Sequence, residues 1–248
     1  MSISKNYILA CQISGVYDVN RNEILPADDF ALIQNWYYSI INLKLNGIIF
    51  HNNFSTETCQ NYENEYIKFI KIDFENKFNP NVFRYHIYSE FLKNNALDIE
   101  NLFFTDISDV VVLKNPFEQD LFRENENHIF CGDEPEILAN NWMIDHCEHL
   151  RNKIKDFKRF ENQYKNQTLL NCGVFGGNIK IIKPFVEQLW QIHQENNFDN
   201  YTKFTGDMGA FNYLIRSKYN NFLLHGAPIN TVFKAYDIHN EQCWFSHK

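Results

Sequence analysis

No uninterrupted apolar stretch in the 248-residue sequence approaches the roughly 18 to 20 residues that a membrane-crossing helix needs. The first apolar run, "YILACQI" (7–13), has a strand's length and falls short of the apolar segment of a secretory signal. C-x-x-C pairs are also missing: Cys11, Cys59, Cys131, Cys147, Cys172 and Cys243 are scattered. Without an export signal such cysteines are expected as reduced thiols, mostly buried as small apolar groups. A basic excess is lacking too, with 23 Lys and Arg against 31 Asp and Glu and a net charge of -8. That balance excludes a nonspecific nucleic-acid binder, whose basic surface displaces phosphate counterions, but leaves room for a local basic pocket. No linker, internal repeat or long low-complexity tract divides the chain, so a single domain is expected over 1–248. The same absences predict a cytoplasmic protein, with peripheral contact at the inner face of a membrane left open.

What is present is apolar and aromatic: 44% of residues are hydrophobic, including 23 Phe and 13 Tyr, which is enough to build a large core. "NYILACQI", "IIFHN", "YIKFIKIDF" and "NLFFTD" read as strands. Between them, "FALIQNWYYSIINLKLNG", capped by Asp28 or Asp29 and stopping at Gly47, "STETCQNYENE" and "NVFRYHIYSEFLKNN" read as helices. This alternation predicts an α/β fold with a mainly parallel central sheet flanked by helices. Further on, 137–166 reads as mixed helical material and "LLNCGVFGGNI" as a glycine-containing strand. "KPFVEQLWQIHQEN" reads as a helix with Pro184 in its first turn, and "TGDMGAFNYLIRSK" as a helix with Asp207 near its start.

The informative stretch is "NLFFTDISDVVVLKNPF", in which Asp106 and Asp109 interrupt two apolar runs. Aspartates suit a turn after a buried strand, because the side chain readily bonds its own backbone. They also suit the carboxyl end of a parallel strand, where ligands bind in such sheets and hard oxygen atoms can hold a divalent cation. Elsewhere, "DHCEH" sets His146 and His149 three residues apart on a helix; without a third defined ligand this spacing argues only weakly for zinc.

The order of motifs, an apolar strand ending in "DISDVVVL", then "NCGVFGG", "GDMGAFNYL" and the terminal "WFSHK", resembles glycosyltransferases of the GT-A fold. It is most similar to the glycogenin-type and bacterial lipopolysaccharide-type nucleotide-sugar transferases. The resemblance implies a Rossmann-like domain with a nucleotide-binding half at 1–117 and an acceptor-binding half at 118–248. It implies a D-x-D motif holding Mn2+ or Mg2+ against a nucleotide diphosphate, here spaced one residue longer as D-I-S-D. Aligned on "VVVL", Asp109 matches the motif's directly metal-bound carboxylate, and Asp106 becomes an offset partner touching metal or ribose. His247 is then the third metal ligand, with His239 as competitor, and Lys248 contacts the diphosphate. Asn171, Gly173 and Gly177 match the strand beside the donor sugar. Asp207 matches the acidic position of a D-Q pair, with Met208 replacing Gln, and would assist acceptor or transition state. Arg84 would face the metal and diphosphate, pairing with Asp106 or a phosphate. Arg21, with Asp18, lies in the loop where base and ribose bind.

The activity so implied is metal-dependent transfer of a monosaccharide, most simply from a UDP-sugar, to a hydroxyl of a glycan or glycolipid, as in surface polysaccharide or lipopolysaccharide synthesis. Two alternatives stand beside it. One is another magnesium-dependent phosphoryl-group enzyme, a nucleotidyltransferase or phosphatase, although an aspartyl phosphatase would want an acid after "YILACQISG" and none is there. The other is a module of the same fold that binds glycans without catalysis.

Overall fold

The computed structural model describes residues 5–18, 21–75, 77–196, 206–234 and 242–248. The predicted alternation of strand and helix is present through the first half. β1 (Asn6–Gln12) is followed by a small hairpin, β2 (Tyr17–Asp18) and β3 (Glu23–Ile24). Then α1 (Gln34–Asn42) leads to β4 (Asn46–His51), α2 (Thr56–Tyr62) to β5 (Ile67–Lys71), and α3 (Pro80–Asn95) to β6 (Asn101–Thr105). After the acidic loop come the short β7 (Val110–Val112), α4 (Asp120–Arg123) and the long β8 (Ile129–Ile137). Three short helices, α5 (Asn141–His146), α6 (Glu148–Lys153) and α7 (Phe157–Tyr164), precede β9 (Thr168–Asn178). The remaining elements are α8 (Ile179–Asn196), α9 (Asp207–Lys218), β10 (Leu223–His225) and β11 (Phe245–His247).

Among the described residues, the central sheet has seven strands in the order β10-β8-β9-β6-β1-β4-β5. The pairs of β1 with β4 and β6, of β4 with β5, and of β8 with β10 are parallel; β9 alone runs against its neighbours β6 and β8. Successive side chains of a strand point to opposite faces, and both faces are buried. Leu9, Leu102 and Phe104 join the helices α3, α8 and α9 on one side. Ile8, Ala10 and Phe103 join Trp36, Tyr37 and Ile40 of α1 on the other, together with Trp244 and Phe245. No helix among the described residues is long and apolar enough to cross a membrane.

Three local expectations are corrected. The helix predicted to run to Gly47 ends at Asn42, and Lys44 takes the left-handed conformation at φ 53. Gly47 instead lies inside β4, where a Cβ would stand 2.5 Å from Cδ1 of Ile67, so glycine is needed there for close packing. The helix expected from "KPFVEQLWQIHQEN" starts at Ile179, four residues earlier, and carries Pro184 in its interior rather than in its first turn. Pro184 itself is exposed, and the helix is held by an apolar face, Ile182, Phe185, Val186 and Leu189, that is fully buried.

Candidate metal and substrate site

The acidic loop is fixed from below before it reaches the cleft. At the end of β6 the buried Thr105 hydroxyl accepts a hydrogen bond from Nε1 of Trp36 at 2.7 Å. The Asp106 amide donates to the Gly173 carbonyl at 2.7 Å, and Ile107 turns into the core, 4% exposed. With Ile107 as the anchor, the carboxylates of Asp106 and Asp109 are left on the cleft side. β7 then pairs antiparallel with β11, in a register that sets Val110 opposite His247. The Lys248 amide donates to the Asp109 carbonyl at 3.0 Å. The tail is held by the burial of Cys243, Trp244 and Phe245, as its apolar character predicted. One short two-stranded ladder therefore brings together Asp109 and His247, 138 positions apart in the sequence.

The ligand atoms of Asp106, Asp109 and His247 all lie within 4.8 Å of one another, and among the described residues no other group of three or more such side chains does so. Nε2 of His247 faces Oδ2 of Asp106 at 3.7 Å. Gly173 supplies the floor: a Cβ there would stand 2.4 Å from Cε1 of His247 and 2.6 Å from Oδ2 of Asp106. Two hard carboxylate oxygens and an imidazole suit a divalent cation such as Mn2+ or Mg2+, and the missing side chain keeps the space between them open.

The charges explain why the two aspartates differ. Arg84, from α3, is ion-paired with Asp106 and lies 3.7 Å from the Asp207 carboxylate. Burial is the largest influence on Asp106 and acts to raise its pKa, yet the positive charge of Arg84, with His247 and Arg21, holds it below the usual range. Asp109 forms no ion pair among the described residues; Ser108 Oγ donates to it at 3.1 Å. Burial, and then the negative charge of Asp106, push its pKa up. Burial lowers that of His247 and favours the neutral imidazole, the form that ligates metals. Asp109 is thus the carboxylate that a bound cation would relieve most.

One cleft of about 1170 Å³ is lined by Arg21, Arg84, Asp106, Asp109, Asn171, Gly173, Asp207, His247 and Lys248. Asp207 begins α9 after Gly206, itself left-handed at φ 59. Nη2 of Arg21 donates to Ser108 Oγ at 2.5 Å, which ties the connection between β2 and β3 to the acidic loop, and Asp18 lies 3.8 Å from its Nε. Asn171 is already engaged: Oδ1 accepts from the Gly173 amide at 2.6 Å and Nδ2 donates to Glu134 at 2.8 Å.

Gly177 is not at the cleft, and its expected place beside the donor sugar is corrected. Because β9 is antiparallel, Val174 pairs with Thr105 at the functional edge while Gly177 pairs with Leu102 near the opposite edge. Four residues of strand separate Gly173 from Gly177, about 13 Å. Gly177 has φ 154, and a Cβ there would stand 2.6 Å from the His128 carbonyl, so its glycine serves the approach of two backbones. His239 lies outside the described residues. His146 and His149 gather no third ligand among the described residues; Nδ1 of His146 is bonded to the Trp142 carbonyl at 2.7 Å.

The sequence reading passed over Glu134, Glu136 and Trp142, all of which line the cleft. The signal for the two acids was available: "HIFCGDEPEI" repeats the pattern of an apolar strand running into acids that marked β6. Trp142 carried none, since a tryptophan in a short helix reads equally well as core. The chain matches no known family model. It also matches no curated protein.

Proposed function

We propose that the protein is a metal-dependent glycosyltransferase of the GT-A type, moving a monosaccharide from a nucleotide-diphosphate sugar to a glycan or glycolipid hydroxyl. The observation that carries this reading is the convergence of Asp106, Asp109 and His247 at the carboxyl end of β6, in a cleft large enough for a nucleotide sugar. Mn2+ or Mg2+ held by these three residues would neutralise the charge that gathers on a departing diphosphate.

The chain's own residues have separable tasks in this reading. Arg84 keeps Asp106 ionised and fixes its direction, so that it can ligate at neutral pH. Gly173 leaves the space, and Lys248, at the lip beside Asp109, offers its ammonium to a phosphate. Arg21 and Asp18 form the nucleoside side of the cleft. Asp207, within reach of Arg84, sits where a carboxylate can orient the acceptor or stabilise developing positive charge on the sugar. The donor is taken as a UDP-sugar and the setting as cytoplasmic, with an acceptor reached in solution or at a membrane surface during surface polysaccharide synthesis.

A screen of nucleotide sugars for donor hydrolysis, with and without manganese, tests this. The reading expects metal-dependent release of the nucleoside diphosphate from one donor. Release from none would leave a binding module, and release of inorganic phosphate instead would favour phosphoryl-group chemistry.

A further inference from the structure

The same cleft is lined by a tryptophan that the chemistry above does not use. Trp142 is 41% exposed, whereas Trp36, Trp190 and Trp244 are 9% exposed or less. One face of its indole is stacked by His146, with ring centroids 3.7 Å apart at 20°. The helix that carries it is capped by Asn140, whose Oδ1 accepts from the Met143 amide at 2.9 Å. The ring is therefore held in place while part of it stays open to the cleft.

Polar groups that line the same cleft are tied to the metal loop. The Asp106 amide donates to the Gly173 carbonyl, the Gly173 amide to Asn171, and the Asn171 amide group to Glu134. Glu136 and Asn140 line the same cleft. An aromatic face that shares a cleft with carboxylates and amides matches a pyranose ring, which offers apolar C–H faces and a rim of hydroxyl donors. The surroundings also discriminate by charge: Glu134 feels the positive charge of Lys234 and the negative charges of Glu136 and Asp207, so with Glu134 itself three carboxylates face one ammonium, and a carboxylate on the sugar would add to the negative excess.

We propose that Trp142, with Glu134 and Glu136, forms the subsite for the acceptor's terminal sugar ring, and that this ring is an uncharged pyranose. The word acceptor rests on the function proposed above; the sugar platform itself does not. Because Trp142 is the exposed tryptophan, acrylamide quenching of intrinsic fluorescence reports on it selectively. Methyl glucoside and methyl galactoside should lower the quenching constant about twofold at saturation, as a ligand covering the open face would. Methyl glucuronide and the open-chain polyol sorbitol should leave it unchanged. In the double variant Glu134→Gln/Glu136→Gln, the glucuronide should protect as well as the uncharged sugars, a response that a merely structural pair of glutamates would not give.

Equal protection by glucuronide in the parent protein, or none by any pyranoside, overturns the proposal. Protection by a UDP-sugar with manganese but by no free pyranoside would give the platform to the donor and also overturn it. The quenching measurement uses neither nucleotide nor metal for its main comparison, so its failure is distinct from an absence of donor hydrolysis.

Discussion

Gly173 and Gly177 lie on one strand and differ in what their missing side chains permit. At Gly173 a methyl group would enter the space between His247 and Asp106; at Gly177 it would meet a backbone carbonyl in a left-handed conformation. Gly173→Ala is therefore expected to abolish metal-dependent stabilisation while the fold persists. Gly177→Ala should lower the melting temperature, by strain of about 1 to 3 kcal/mol, and leave the metal response of the folded fraction intact. Thermal melts of both variants, with and without manganese and UDP, check the pair. At this scale the sequence was most legible where chemistry is concentrated: two aspartates between apolar runs, and a histidine tethered by "CWF", have few structural uses. It was least legible at Gly177, because the direction of a strand leaves no mark on its composition. Glu134 shows the other limit, since a carboxylate after one strand drew attention and the same pattern after another did not.

The strands and helices set the precision of the site. β11 contributes only three residues, yet its pairing with β7 is what delivers His247, and Trp244 holds the ladder against Phe103 and Phe130. Trp244→Ala should cost about 3 to 5 kcal/mol by the usual cost of emptying a buried indole site, and should loosen the metal ligand set with it. Urea unfolding with and without manganese would show both losses. A second prediction concerns α8, where His193 is fully buried and stacks on Tyr85 of α3, with ring centroids 5.4 Å apart. Burial, with the charges of His149 and Arg84, pushes its pKa down to about 3. Below its ordinary value near 6.5 the unfolded chain binds a proton that the folded chain refuses, so stability falls as pH is lowered between about 6.5 and 3. This residue contributes a slope of about 1.4 kcal/mol per pH unit in that window. Urea midpoints measured from pH 6 to pH 4 should flatten by that amount in His193→Phe. The strands and helices of the first half were readable because polar turns separate them, as Ser55 and Asn79 do by capping α2 and α3. β8 and β10 were not, because β8 runs on into "DEPE", where its residues lose their apolar signature.

Across the whole molecule, the site depends on a crossing of the chain's two halves. The parallel strands of the first half direct Asp106 to one edge of the sheet, and the reversed β9 returns Asn171 and Gly173 to that same edge from the second half. The two faces of the sheet are packed by separate apolar clusters, which hold that edge rigid while the cleft stays polar and open. The α/β architecture with a mostly parallel sheet was therefore legible from the alternation of apolar runs, while the antiparallel return was not, since pairing across long sequence distances leaves no local pattern. The central claim is that the triad binds a divalent cation together with a nucleoside diphosphate, and the most direct test is thermal unfolding with manganese and UDP against the Asp109→Asn variant. At a hundred times the dissociation constant, the account predicts about 2.7 kcal/mol of added stability in the parent protein, none in Asp109→Asn, and no loss of basal stability in that variant. An unchanged melting temperature in the parent, or an equal rise in Asp109→Asn, would contradict it.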